Sequence, residues 1–87
     1  MKVVKKKIWP GYFDAILNGK KKYELRLNDF DIEEGDTMLL EEWDPKTKKY
    51  TGRKTEKIVT YVGRFKLDRL FWSAQEINEK GIQIISF

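Results

Sequence analysis

The sequence predicts an α+β domain that is mainly β with short helices, its strands curved into a compact β-barrel. With 87 residues, 40% of them hydrophobic and 37% charged, the chain has material for one core, so residues 1–87 are expected to form a single domain. Short segments rich in β-branched and aromatic residues recur between clusters of Gly, Pro, Asn and Asp, a pattern typical of strands joined by turns. Apolar spacing indicates one short helix, and capping residues indicate another.

The first two elements are a strand and a helix. Residues 2–8 are predicted to be a strand in which Val4 and Ile8 fall on the same face and lysines are interspersed. Pro10 suits the first turn of a helix, and Gly19 suits the left-handed position after its end, so a short amphipathic helix is expected through Asn18. Its apolar residues at helical spacing are Tyr12, Phe13, Ile16 and Leu17.

A second strand is predicted at residues 22–27. Period-two geometry would put the polar residues Lys22, Glu24 and Arg26 on one face and the apolar residues Tyr23, Leu25 and Leu27 on the other. Lys21 precedes Glu24 by three positions, so their side chains converge only if Lys21 lies in the turn before the strand.

The middle of the chain predicts two more strands. Phe30 and Ile32, in a turn-rich segment, are expected to cover the end of the core. Residues 37–43 are predicted to be a strand with apolar side chains on both of its faces, as in a strand that is covered on both sides or curved round a barrel. Residues 44–53 are expected to be a polar loop, and residues 54–62 the next strand.

The last part of the chain predicts a core-covering segment, a helix and a strand. Ser73 and Glu76 form a capping-box pattern, which predicts a helix over residues 74–80 followed by Gly81. Residues 82–87 are predicted to be a terminal strand. The segment expected to cover the core carries Phe65, Leu67, Leu70, Phe71 and Trp72.

Composition excludes several kinds of chemistry. The chain has no cysteine and no histidine, so disulfides, thiolate ligands, a cysteine nucleophile and an imidazole base are all excluded. We expect no metal and no cofactor. No apolar run approaches the roughly 20 residues that span a membrane, and no signal-peptide pattern opens the chain. A cytoplasmic monomer without a membrane partner is therefore expected.

Charge is unevenly distributed along the chain. The net charge is +4; the first 26 residues hold eight basic and two acidic residues, whereas residues 29–44 hold eight acidic residues and no base. The basic flank could meet a phosphate-bearing ligand, or the two blocks could neutralise each other across neighbouring strands.

Residues 19–26 carry the only recognisable site chemistry. Gly19, Lys21, Glu24 and Arg26 match the four defined positions of G-x-K-x-x-E-x-R, the signature of ASCH domains. Other segments of residues 1–63 resemble the small DUF3850 branch of that superfamily in the same order. They are the helix with Pro10, Tyr12 and Phe13, the turns at 28–29 and 35–36, and the runs 42–45 and 50–53.

The resemblance implies a PUA-like β-barrel from a superfamily associated with RNA binding, with a basic cleft between the first helix and the motif strand. Lys21 would supply a mobile charge for phosphate, and Arg26 a planar fork for phosphate or base edges. Glu24 would orient Arg26 or accept hydrogen bonds from base amino groups. The adjoining candidates are Lys20, Lys22 and Tyr12, with Tyr23 and Trp43 as either stacking surfaces or core. Without the resemblance, the same pattern reads as an ion pair on a solvated strand face.

The leading interpretation is therefore a module that binds RNA or a nucleotide-like ligand. Some ASCH relatives are amidohydrolases of acetylated cytidine that use a Lys, a Thr nucleophile and a Glu, but Glu24 stands here in the Thr position. If the chain is an amidohydrolase or a ribonuclease, Lys21 and Glu24 are its catalytic candidates, and Glu76 or Glu79 could approach the cleft. A protein-interaction adaptor using residues 65–72 is the third alternative.

Overall fold

A three-stranded mixed sheet forms the centre of the molecule, and the computed structural model describes all residues from 1 to 87. Strand β1 (Val3–Ile8) pairs in parallel with β2 (Thr37–Asp44), and β2 pairs antiparallel with β3 (Lys49–Ile58). The strand order is β1-β2-β3, so β2 is the central strand and the other two are edges.

Two short helices accompany the sheet. Helix α1 (Pro10–Leu17) begins with proline in its first turn, and Gly19 beyond its end has φ +80°, a conformation that side chains with a Cβ rarely adopt. Helix α2 (Ala74–Lys80) follows a complete capping box between Ser73 and Glu76. Both predicted helices are confirmed. Neither helix has the length and apolar composition needed to cross a bilayer.

The core lies between α1 and one face of the sheet. Along β2, Met38, Leu40 and Glu42 are buried and alternate with partly exposed neighbours, because successive side chains of a strand point to opposite faces. The buried apolar cluster consists of Ile8, Phe13, Ile16, Ile32, Met38 and Leu40. Phe30 packs against this cluster, which confirms that Phe30 and Ile32 cover the end of the core.

The β2–β3 connection is shorter than predicted. The backbone N–H of Lys48 donates to the Asp44 carbonyl at 2.7 Å, and Lys48 has φ +57°, so the chain reverses within residues 45–48. As a result β3 begins at Lys49 instead of residue 54 and ends at Ile58 instead of residue 62.

Three other sequence predictions are wrong. Residues 22–27 and residues 82–87 pair with no strand, so neither segment is a β-strand. The predicted core-covering segment instead contains a single 3₁₀ turn, Leu67–Arg69, and most of its large apolar side chains are exposed. The α+β class is confirmed, but the sheet is open, so the structure does not confirm a barrel.

Candidate functional site

The motif segment, residues 19–26, runs from the end of α1 to the side of β1. The backbone N–H of Lys21 donates to the Ala15 carbonyl at 2.9 Å, which fixes the start of the segment against the helix. Near its end, Nη2 of Arg26 donates to the Lys7 carbonyl at 2.7 Å. The segment is therefore attached at both ends, although it is not a strand.

Three of the predicted site residues meet at the Glu24 carboxylate. Nζ of Lys21 lies 2.7 Å from Oε1 of Glu24, and Nε of Arg26 lies 2.8 Å from Oε2. The side chains of Lys21 and Glu24 are each 13% exposed, and that of Arg26 is 28% exposed. Lys21 and Glu24 converge despite their spacing of three because the backbone here is irregular, which frees the side chains from strand alternation.

These contacts separate the roles of the three side chains. Both oxygens of Glu24 accept hydrogen bonds from cations, so Glu24 orients its neighbours. Lys21 also donates to the Tyr23 carbonyl at 2.7 Å, which holds the ammonium group in place. Arg26 uses Nε and Nη2 within the protein, and its Nη1 donates to no protein acceptor.

A small recess lies between α1 and the motif segment, the region in which the family resemblance implies a cleft. We call it the tyrosine recess; its volume is about 370 Å³, and its lining includes Tyr12, Lys20, Lys21, Tyr23 and Ser86. Nζ of Lys21 lies 4.4 Å from the centre of the Tyr23 ring and 5.7 Å from that of Tyr12. The buried Oγ of Ser86 has no hydrogen-bond partner in the protein. The recess thus combines a fixed cation, two aromatic rings and an unpaired hydroxyl.

A larger opening, the apolar cleft, lies on the other side of the motif segment. It separates the motif segment from residues 57–68 and has a volume of about 1320 Å³. Its floor is made of core side chains, among them Ile16, Phe30, Ile32, Met38 and Leu40. Lys22 is exposed and lines this cleft instead of the tyrosine recess, whereas Lys21 lines both.

The remaining predicted residues are not placed for contact with a ligand in the recess. Trp43 lines neither the tyrosine recess nor the apolar cleft, and its ring centre lies 4.2 Å from Nζ of Lys7. Glu76 belongs to the α2 capping box, and Glu79 accepts a hydrogen bond from Gln75. Neither glutamate lines the tyrosine recess or the apolar cleft. No cluster of three or more acidic side chains is placed to hold a metal ion.

Sequence reasoning missed a second charged cluster, in which α1, β2 and β3 meet. The Glu42 side chain is 3% exposed, and its oxygens accept from Nε and Nη2 of Arg53 at 2.9 and 2.7 Å. Nη2 of Arg53 also contacts Asp14 at 2.8 Å, and the Thr51 hydroxyl donates to Glu42. The hydrogen bonds from Arg53 and then Thr51 lower the pKa of Glu42, and those to Glu42 and Asp14 raise the pKa of Arg53.

The backbone explains how this cluster forms. The β2–β3 register shifts between Glu41 and Trp43, and Gly52, opposite this irregularity, has φ +93°. The shift lets both neighbours of Gly52 reach the same carboxylate. The sequence did hold a signal, because Glu42 continues the parity of Met38 and Leu40 and is therefore an acid on the buried face.

Comparisons with known proteins identify a family but no activity. The family model described as "Domain of unknown function (DUF3850)" matches residues 3–71. An uncharacterised 12.9 kDa protein in the GpA 3′ region of Escherichia phage P2 is 43% identical over 61 residues, which are 70% of this chain and 54% of the phage protein. The chain thus spans about half the length of that relative. No solved structure matches.

Proposed function

Because the chain belongs to the DUF3850 family, whose function is undefined, we propose from its site that it binds RNA or a nucleotide-like ligand in the tyrosine recess. We also propose that the family is a branch of the ASCH superfamily with a PUA-like fold. The match of Gly19, Lys21, Glu24 and Arg26 to the ASCH signature supports this superfamily assignment.

One observation carries the proposal: Lys21 is held as a fixed cation next to two exposed tyrosine rings. Nucleic acids and nucleotides present phosphates and flat bases together, and proteins bind them by combining cations with aromatic stacking surfaces. Tyr12 and Tyr23 are each more than a third exposed, so a base can reach a ring from solvent. Lys21 can donate its remaining N–H to a phosphate oxygen.

The charge around the recess favours an anionic ligand. Lys20 lines the recess, is exposed and forms no ion pair, so its ammonium group is free to meet a phosphate. Glu24 offsets only part of the charge of Lys21 and Arg26, which leaves the motif segment with a net positive charge. An anion approaching the recess would therefore meet a cationic rim.

Binding can be tested by anisotropy titration of a labelled single-stranded oligoribonucleotide at 50 and 200 mM salt. Each phosphate contact with a single strand contributes a salt slope of about −0.7, so a fourfold rise in salt weakens binding by about 2.6-fold per contact. Lys21→Met is expected to bind the RNA less tightly at low salt, and its salt slope should be smaller than that of the wild type by the contribution of about one phosphate contact. Circular dichroism would verify that the variant is folded.

Lys46→Met is the matched control. It removes the same charge from the exposed β2–β3 turn, away from the recess, so its affinity and salt slope should stay close to those of the wild type. Absence of wild-type binding at low salt would refute the proposal. If Lys21→Met and Lys46→Met lost the same amount of affinity for the oligoribonucleotide, the assignment of the binding site to the tyrosine recess would be refuted.

The hydrolase alternatives require Glu24 to move a proton, and both of its oxygens already accept hydrogen bonds from cations. Incubation with N4-acetylcytidine and with single-stranded RNA should therefore yield no product. Turnover by the wild type that disappears in Glu24→Gln would instead assign a catalytic function to the motif segment.

A further inference from the structure

The chain exposes more surface than a monomeric domain of its mass. Its accessible surface is 7426 Å² for 10.4 kDa, whereas a monomer of that mass exposes about 5,400 Å². The radius of gyration is 14.8 Å, against about 12 Å expected for this length. The excess accessible surface is about 2,000 Å² per chain. A dimer interface that buried this surface on both chains would bury about 4,000 Å² in total, which is within the range of obligate homodimers.

Much of the exposed apolar surface surrounds the apolar cleft. Six cleft residues are more than half exposed: Leu25, Leu27, Ile58, Tyr61, Phe65 and Leu67. Below them the floor consists of core side chains, which are themselves largely buried, so these six residues form the solvent-facing apolar surface of the cleft. Charged side chains, among them Arg26, Lys57 and Arg64, also line the cleft, and exposed apolar surface rimmed by polar residues marks a site that another molecule covers.

Residues 82–87 carry an apolar face with nothing packed on it. The segment, Ile-Gln-Ile-Ile-Ser-Phe, has no charged side chain. Ile84 and Ser86 line the tyrosine recess of their own chain, whereas Ile85 and Phe87, at the alternate positions, are exposed. Two large apolar side chains of this segment are thus exposed to solvent.

Residues 82–87 border the apolar cleft as well as the tyrosine recess. Ile84 lines both the tyrosine recess and the apolar cleft. Each copy therefore has two exposed apolar side chains next to a residue that lines the apolar cleft. A patch that contains both a projection and a complementary cavity can pair with itself across a twofold axis, with each projection filling the other copy's cavity.

We propose that a second copy of this chain covers the apolar cleft, and that Ile85 and Phe87 of each copy insert into the cleft of the other. The inserted side chains are apolar, which matches the apolar side chains of the cleft floor. The proposal replaces the monomer expected from the sequence and does not depend on ligand binding at the tyrosine recess.

Light scattering after size exclusion tests the assembly. The wild type is expected to have twice the 10.4 kDa mass of the chain. The double variant Ile85→Ser with Phe87→Ser is expected to have the mass of one chain, and because both side chains are exposed it should still fold. Tyr50→Ser, which removes an exposed aromatic outside the cleft, should remain dimeric. A wild type that is monomeric at all concentrations, or a dimer unaffected by the double variant, would overturn the proposal.

Cysteine crosslinking identifies the contact, since the chain contains no cysteine of its own. Tyr61→Cys and Phe87→Cys proteins would be mixed and oxidised, and the expected product is a disulfide between positions 61 and 87 of different copies, located by peptide mass spectrometry. A mixture of Lys46→Cys and Phe87→Cys is the control and should give little product. Equal yields in the two mixtures, or a compact wild-type monomer by small-angle scattering, would contradict the insertion.

Discussion

Leu40 provides a quantitative test of where the core lies. It is 1% exposed at the centre of β2 and belongs to the buried cluster below α1. Shortening such a leucine to alanine costs about 3 kcal/mol, from lost transfer free energy and the cavity that remains. A chain of this length has a total stability of about 4–13 kcal/mol, so Leu40→Ala should remove a large share of it. In thermal unfolding the midpoint is expected to fall by about 12–24 °C.

Leu39→Ala is the matched control for this prediction. Leu39 is the next residue of the same strand, points to the opposite face and is only partly buried. Leu39→Ala should therefore lower the free energy of unfolding by less than half as much as Leu40→Ala. Urea unfolding measures both losses, and the m-value should be the same in the two variants. Equal losses at the two positions would mean that both faces of the sheet are covered equally. A loss below about 1 kcal/mol at Leu40 would refute the core assignment.

Two further predictions concern carboxylates that hold the sheet together. Hydrogen bonds from the Lys2 and Glu33 backbone N–H groups lower the pKa of Asp36 below its ordinary 3.8. The ionised carboxylate therefore stabilises the folded protein above pH 3.8, and this stabilisation is lost as the pH falls through the lowered pKa. Asp36→Asn should unfold more easily at pH 7, and its difference from the wild type should shrink below about pH 4, as followed by urea midpoints. Arg53→Met leaves the buried Glu42 carboxylate without its cation and should lower the urea midpoint, whereas adding Glu42→Met should recover part of the loss. A double variant less stable than Arg53→Met alone would contradict this account of the pair.

The elements predicted correctly are those whose signals are local. Pro10 and Gly19 bracket α1, and the capping box of Ser73 and Glu76 starts α2. These signals depend on hydrogen bonds within a few residues, so no knowledge of the rest of the molecule is needed. Strands β1 and β2 were also found, because their composition suits a pleated sheet whatever they pair with.

The elements predicted wrongly depend on distant partners. Residues 22–27 and 82–87 have strand-like composition, but a strand exists only where another backbone pairs with it, and here none does. The motif segment is instead fixed by Arg26 reaching the Lys7 carbonyl, 19 positions earlier in the chain. The Glu42–Arg53 pair likewise needs the register shift between β2 and β3, which no local pattern reveals.

Chemical-shift mapping of the labelled protein with a short single-stranded oligoribonucleotide tests the proposed function most directly. Amide resonances of Tyr12 and residues 20–26, which line or adjoin the tyrosine recess, are expected to move in proportion to bound ligand. These movements should be strongly reduced in Lys21→Met. Saturable shifts confined to other surfaces, such as the β2–β3 turn, or no shifts at low salt, would contradict the proposed function.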